Sequence, residues 1–290
     1  MANSSHPPSP WNLSGRSAKL TAGDFSAAVA VDRPGLGIHD IAWAGQPLDA
    51  VGHWLAFSEP GPAPSDRVRA IEDVYVRGHD LVVVYAENKE HPLRYFVYWR
   101  SLGEADLCGA AAGLDVVVSV QTSVLDAKPA ASLSSRCSAE GAWSAAPPQR
   151  IWRSIPQRRL DAALEQPFET ATEINALGKS DSDDVFLFDL AAGDWTYAEM
   201  IHPGDRTLSY ALVWQPDEES VAASPDSDTD HLLFASSVVT TRHQVLGLQL
   251  EKGVLLRART RVVLTRREGS RDVVAACRDA FERADLPLTT

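Results

Sequence analysis

From Gly253 to Arg266 the chain alternates: Val254, Leu256, Ala258, Thr260, Val262 and Leu264 fall on one side, and Arg257, Arg259 and Arg261 on the other. Period-two alternation sends successive side chains to opposite faces of a strand, so this segment reads as a half-buried antiparallel strand. Its apolar face needs a second sheet. Its other face carries three arginines in a row, which require carboxylates, solvent or an oxygen-rich ligand. The plain reading of such a stripe is a solvated sheet face with cross-strand partners such as Glu72 or Asp73. The functional reading is an oxyanion or sugar site.

The same period recurs along most of the chain. Residues 93–102 place Leu93, Tyr95, Val97 and Trp99 opposite Arg94, Phe96, Tyr98 and Arg100. Residues 114–126 set a valine-rich side against Asp115, Val117, Ser119, Gln121 and Ser123, and 131–137 are expected to pair with them through a turn at 126–129. Runs at 25–31, 38–43, 68–76, 81–86, 185–190, 195–201, 208–214 and 232–240 read as further strands, with a hairpin turn at Gly78-His79-Asp80. About a dozen strands with short turns and almost no interleaved helices mean an all-β chain: a large antiparallel two-sheet β-sandwich. One C-terminal helix is expected over 270–284, N-capped by Ser270, with Val273, Val274, Cys277, Ala280, Phe281 and Ala284 on its buried face. Residues 1–15 read as a disordered tail and 16–290 as a single sandwich domain. A helical turn is expected at 158–165 and a mobile acidic loop at 215–230.

Composition removes several function classes. A net charge of −12 over 290 residues leaves no basic field for nucleic acid or an anionic membrane surface. No apolar run reaches the ~20 residues of a membrane-spanning helix, and the N-terminus lacks the build of a signal peptide. Cys108, Cys137 and Cys277 are odd in number and widely spaced, which fits neither a disulfide framework nor a zinc site and points to a reducing, cytoplasmic setting. No histidine pair has metal-ligand spacing, and the glycines near Lys179 and Asp40 fail the phosphate-loop patterns, so no metal and no cofactor are expected. Eight tryptophans and six tyrosines suit either core filling or stacking on sugar rings. Trp99, Trp195 and Trp214 alternate with the apolar side of their strands and are expected inward.

Two placements suggest chemistry. Glu251 ends the apolar run Val245, Leu246, Leu248, Leu250 beside the arginine strand. Glu199 and His202 form an acid–histidine pair three residues apart, which a strict strand would point to opposite faces unless Pro203 and Gly204 bend it.

In Leu248-Gln249-Leu250-Glu251 the chain resembles the strand that ends in the catalytic glutamate of aldose epimerases, members of the galactose mutarotase-like supersandwich superfamily. The strand after Gly253 is similar to that family's closing strand, and Tyr98-Trp99-Arg100 and 115–126 to the strands flooring its sugar cleft. The resemblance implies a carbohydrate ligand and acid/base chemistry of the epimerase type. Glu251 would be the base on the anomeric hydroxyl and His202 the acid, with Arg100, Gln121, Glu199 and Arg257 binding the sugar. The family's paired histidine motifs have no counterpart here. The alternative is a non-catalytic protein-interaction sandwich that presents its arginine-striped face to a partner.

Overall fold

A computed structural model describes residues 9–58, 68–87, 92–125, 127, 131–145, 153–154, 185–191, 193–202, 209–216, 237–246 and 250–284. Strands β1 (Trp11–Ser14), β2 (Ser17–Ala22) and β3 (Phe25–Ala30) lead through a helical turn at Pro34–Leu36 to β4 (Ile38–Trp43), β5 (Gln46–Pro47) and β6 (Val51–Ser58). Next come β7 (Ile71–Arg77), β8 (Asp80–Tyr85), β9 (Leu93–Ser101), a short helix α1 (Glu104–Leu107) and β10 (Ala112–Thr122). The remainder is β11 (Ala131–Ala145), β12 (Arg153–Ser154), β13 (Val185–Leu190), β14 (Trp195–Ile201), β15 (Ser209–Pro216), β16 (Ser237–Val245), β17 (Leu256–Arg266) and helix α2 (Ser270–Arg283).

Every ladder among these strands is antiparallel. One layer runs β7–β8–β9–β10–β17–β14–β13 and reaches β11, from which the ladder passes to β6, β4, β3, β2 and β1. β11 also pairs with β16, which carries β15. The layers are thus joined through one long strand, giving the sandwich a barrel-like closure. The free ends approach as well: the Ser9 hydroxyl donates to Gly78 O (2.6 Å) and the Trp11 indole to His79 O (3.0 Å). Those bonds, with Trp11 buried, explain why residues 11–14, expected in a tail, form a strand. Residues 131–137 do not pair with β10, whose neighbours are β9 and β17.

The apolar parity read from the sequence lines the interior. Leu114, Val116, Val118 and Val120 of β10 and Val262 and Leu264 of β17 pack with Leu20, Val29, Trp54 and Phe57 of the opposite layer. Trp99 and Trp195 point inward as expected. The side chain of Trp214, the turn at 158–165 and residues 217–230 of the acidic loop lie outside what is described. No described helix is long and apolar enough to cross a membrane.

Two of the three arginines on the striped face are not solvated, while Arg257 is half-buried. Immediately after β17 the chain folds back as α2, which lays Val274, Cys277 and Phe281 on Leu187, Ala198, Met200 and Val263. Arg259 and Arg261 are buried beneath it, their guanidiniums 4.4 and 4.7 Å from the Phe281 ring centre. Arg261 forks onto Asp115, Nε to Oδ1 at 2.6 Å and Nη2 to Oδ2 at 3.0 Å, the bidentate geometry that suits guanidinium to carboxylate. Arg259 donates to the carbonyls of Phe281 (3.2 Å) and Ala284 (2.9 Å) at the end of the helix, where its dipole favours a cation. The expected partner Glu72 is taken by Arg94 instead. Helix α2 starts at Ser270, with Gly269 preceding it at φ 69° and making no side-chain cap. The serine is therefore the first helical residue rather than the cap.

Phe281 is fully buried, so Phe281→Ala is expected to cost ~3–5 kcal/mol from lost transfer energy and the cavity left behind. A denaturant titration checks this, and an unchanged midpoint would show α2 to be loosely attached.

Candidate functional site

Strand β14 sends Thr196, Ala198 and Met200 toward α2 and Trp195, Tyr197, Glu199 and Ile201 into the interior. Glu199 stands opposite Phe186 of β13 and Val262 of β17 and is 0% exposed. A lone ionised carboxylate in such a place would cost several kcal/mol. It is not alone. From β16, His243 reaches its Oε2 through Nε2 at 2.6 Å, and the Tyr197 hydroxyl donates to Oε1. Tyr197 Oη is also 2.9 Å from Ser135 Oγ of β11, which accepts the Leu55 backbone N–H at 2.9 Å. A phenol has one proton and a carboxylate can only accept, so Tyr197 gives its proton to Glu199 and Ser135 keeps its own for an acceptor of the same cluster. β14 pairs with neither β16 nor this half of β11, so the contacts cross the interior between layers.

Leu55 is positioned by a defect in the ladder. β6 slips register against β11 between Ser134 and Arg136, so that Trp54 and Leu55 together oppose Ser135. This is a β-bulge, and Leu55 sits in it at φ 49°, a conformation that non-glycine residues rarely adopt.

Burial alone would raise the Glu199 carboxyl, but the charge of His243 and hydrogen bonds from His243, Ser135 and Tyr197 outweigh it and hold the group below its ordinary value. Burial and the neighbouring carboxylate push the Tyr197 phenol well up, so it stays a donor. Burial likewise raises the Cys137 thiol, with Glu199 adding to the effect. His53 is lowered by burial and by Arg136, against the opposing pull of Glu199. With Glu199 Oε2 on Nε2 of His243, any further partner of the ring must meet it at Nδ1. Nδ1 is buried with no hydrogen-bond partner among the described residues, and so are Thr241 Oγ1, Thr260 Oγ1 and Trp54 Nε1. All four belong to this inner face. Thr241 registers with Ser135 and Thr260 with Ile201, while Trp54 stacks on Tyr197 at 5.1 Å. Buried polar atoms are nearly always paired, so these four leave unused hydrogen-bonding capacity in the interior that holds Glu199. Among the described residues no three His, Cys, Asp or Glu side chains gather as a metal set.

The residues expected from the sequence are distributed over both sides of the sheet. Glu251 is exposed in the turn that Val254 N–H closes onto its carbonyl (3.1 Å), ahead of the start of β17. His202 is half-buried where its N–H meets Arg259 O (3.2 Å), its ring edge-on to Phe281 at 5.3 Å. Burial and then Arg259 lower its pKa, against a backbone hydrogen bond at Glu282. Glu251 thus sits in an exposed turn and His202 against α2. Arg100, paired with Asp80 at 2.7 and 2.9 Å, shares the outer face with Gln121 and Arg257, because these register with Asp115, Arg94 and Ser119 respectively. Glu199 alone of the six lies inside. His243, Tyr197 and Ser135 were not singled out in advance. Their signal was present as polar residues at inward positions of Val239, Thr241, His243, Val245 and of Trp195, Tyr197, Glu199, Ile201.

No family model matches the chain, and no curated protein matches it. Among solved structures it is similar to galactose 1-epimerase from Lactobacillus acidophilus NCFM, with TM-score 0.42 and 8% identity over 86% of this chain and 94% of that one. It is also similar to a Klebsiella pneumoniae subsp. pneumoniae MGH 78578 protein assigned as an aldose 1-epimerase, with TM-score 0.43 and 10% identity over 96% and 90%.

Glu199→Gln is expected to lower stability at neutral pH by roughly 3–5 kcal/mol, the usual cost of breaking a buried ionic pair. Because the Glu199 carboxyl sits below its ordinary value when folded, its contribution is present above that ordinary value and is lost as pH falls through the folded one. Unfolding midpoints measured from neutral to acid pH should therefore fall less steeply in the variant. Parallel curves would show that Glu199 has no such coupling.

Proposed function

We propose that the protein is a carbohydrate-active protein whose acid/base centre is Glu199–His243, with interconversion of sugar anomers as the reaction. The observation that supports this is the unpartnered Nδ1 of His243, buried beside three further unpartnered polar atoms while Glu199 holds the opposite ring nitrogen. In this reading Nδ1 accepts the proton of the anomeric hydroxyl and passes it to the ring oxygen as the ring bond breaks. Glu199 stabilises the imidazolium formed in between, and a positioned base of this kind contributes about 10²–10⁴-fold. Thr241, Thr260 and the Trp54 indole offer hydrogen bonds to the remaining hydroxyls. Trp54 already stacks with Phe25 at 5.8 Å and Tyr197 at 5.1 Å. Sugar recognition here rests on hydrogen bonding.

A second reading is favoured by the depth of the pair, His243 being 1% and Glu199 0% exposed. There the same network is a structural lock between the layers, and the protein binds sugar without turnover or serves a protein partner. Polarimetry of freshly dissolved aldoses separates the two. Acceleration by the purified chain, reduced ~10²–10⁴-fold in His243→Gln with saturable thermal stabilisation by the sugar retained, supports the catalytic reading. At 100 times the dissociation constant such a ligand adds about 2.7 kcal/mol. Neither acceleration nor stabilisation with any aldose would leave the structural lock standing.

A further inference from the structure

On the outer side of β14 and β17, helices α1 and α2 meet and bring together two thiols from distant parts of the chain. Cys108 ends α1 at φ 51°. It is half-buried, its Sγ 3.8 Å from Ala105 O. Cys277 is buried on the inner face of α2, and its Sγ donates to Leu107 O at 2.8 Å, the residue immediately before Cys108. Both side chains belong to the same apolar cluster, with Val273, Leu107 and Ala110 around them. Through its bond to Leu107 O the Cys277 thiol lies against the chain at Cys108. Cys137 is on the opposite side of the sheet, buried in the interior near Glu199.

We propose that Cys108 and Cys277 are an oxidant-sensitive dithiol, a modification site at which a hydroperoxide closes an internal disulfide between α1 and α2. The half-exposed Cys108 reacts first. Its thiolate attacks one oxygen of hydrogen peroxide, the O–O bond breaks, and Cys108 becomes a sulfenic acid while the departing hydroxide takes up a proton as water. The Cys277 sulfur then attacks the Cys108 sulfur. The S–S bond forms, the S–O bond breaks, and the Cys277 proton leaves with that oxygen as a second water. Two thiols and one peroxide give one disulfide and two waters, and the two electrons lost by sulfur are those gained by the peroxide. Burial, with Cys108 beside it, pushes the Cys277 thiol up to about 12, so it is slow to meet oxidant itself and the first attack falls to Cys108. The bond would tie α1 to the helix that covers the Arg261–Asp115 fork, and a cross-link between residues this far apart in sequence constrains the unfolded chain strongly.

The full-length folded chain is treated with a small molar excess of hydrogen peroxide, and its intact mass and disulfide-linked peptides are read. The expected result is a loss of two hydrogens per chain, a peptide pair joining Cys108 to Cys277, reversal by dithiothreitol, and a raised unfolding midpoint in the oxidised form. Cys137→Ser should behave as the native chain, whereas Cys108→Ser should gain no internal link. Oxygen addition at Cys108 without a disulfide, a link through Cys137, or a link between chains would each overturn the proposal. Should Cys108→Ser fail to fold, the peptide map of the native chain decides alone.

Discussion

Val262 stands opposite Glu199 in the β14–β17 ladder, and that single register assigns the polar groups of half the molecule. Partners in an antiparallel ladder share a face, and a shift of one residue would exchange the faces. With Val262 inward, Glu199 goes inward with it, while Arg259 and Arg261 go outward to the side that α2 covers. One sheet thereby carries a carboxylate system on its inner surface and a guanidinium system on its outer surface. The apolar residues between them keep the two apart.

Each system meets the cost of a buried charge in its own way. Asp115 receives both arms of the Arg261 guanidinium, and Phe281 supplies a ring face to the same cation. Charge, fork geometry and apolar cover are satisfied together, leaving an interaction that holds a helix in place. Glu199 receives an imidazole and a phenol, one on each oxygen. An imidazole has a second nitrogen that can accept as well as donate a hydrogen bond, whereas a guanidinium can only donate. That difference makes the inner system a candidate for chemistry and the outer one a fastening.

The interior network also depends on strain placed nearby. The bulge at Trp54–Leu55 turns a backbone N–H onto Ser135, which in turn meets Tyr197. Gly37 permits that bulge. A Cβ there would run into the Trp54 carbonyl and come within 2.7 Å of Ala56 N. Bulges of this kind recur beside functional sites because they re-aim groups that a regular ladder would leave pointing along the strand.

Local periodicity made much of the fold legible. The runs at 38–43, 185–190 and 195–201 are strands over those same residues, the inward sides of β9, β10 and β17 are as alternation assigns them, and the helical spacing from 270 marks α2. All of this follows from how a side chain's direction depends on its position within its own strand or helix. What lies beyond a residue's own element was not legible. The arginines are regular in the sequence, but their carboxylate comes from β10 and their cover from α2. Glu199 was visible as a candidate, but its partner His243 reaches it across the interior from a strand that never pairs with β14. Glu251, the most suggestive carboxylate in the chain, is exposed in a turn, and Arg100, Gln121 and Arg257 lie on the other face of the sheet from Glu199. The sequence alone determined which side of each strand is apolar, because alternation is a property of consecutive residues. Only the tertiary structure decided which polar groups meet, because ladder register and layer contact are set by residues far apart in the chain.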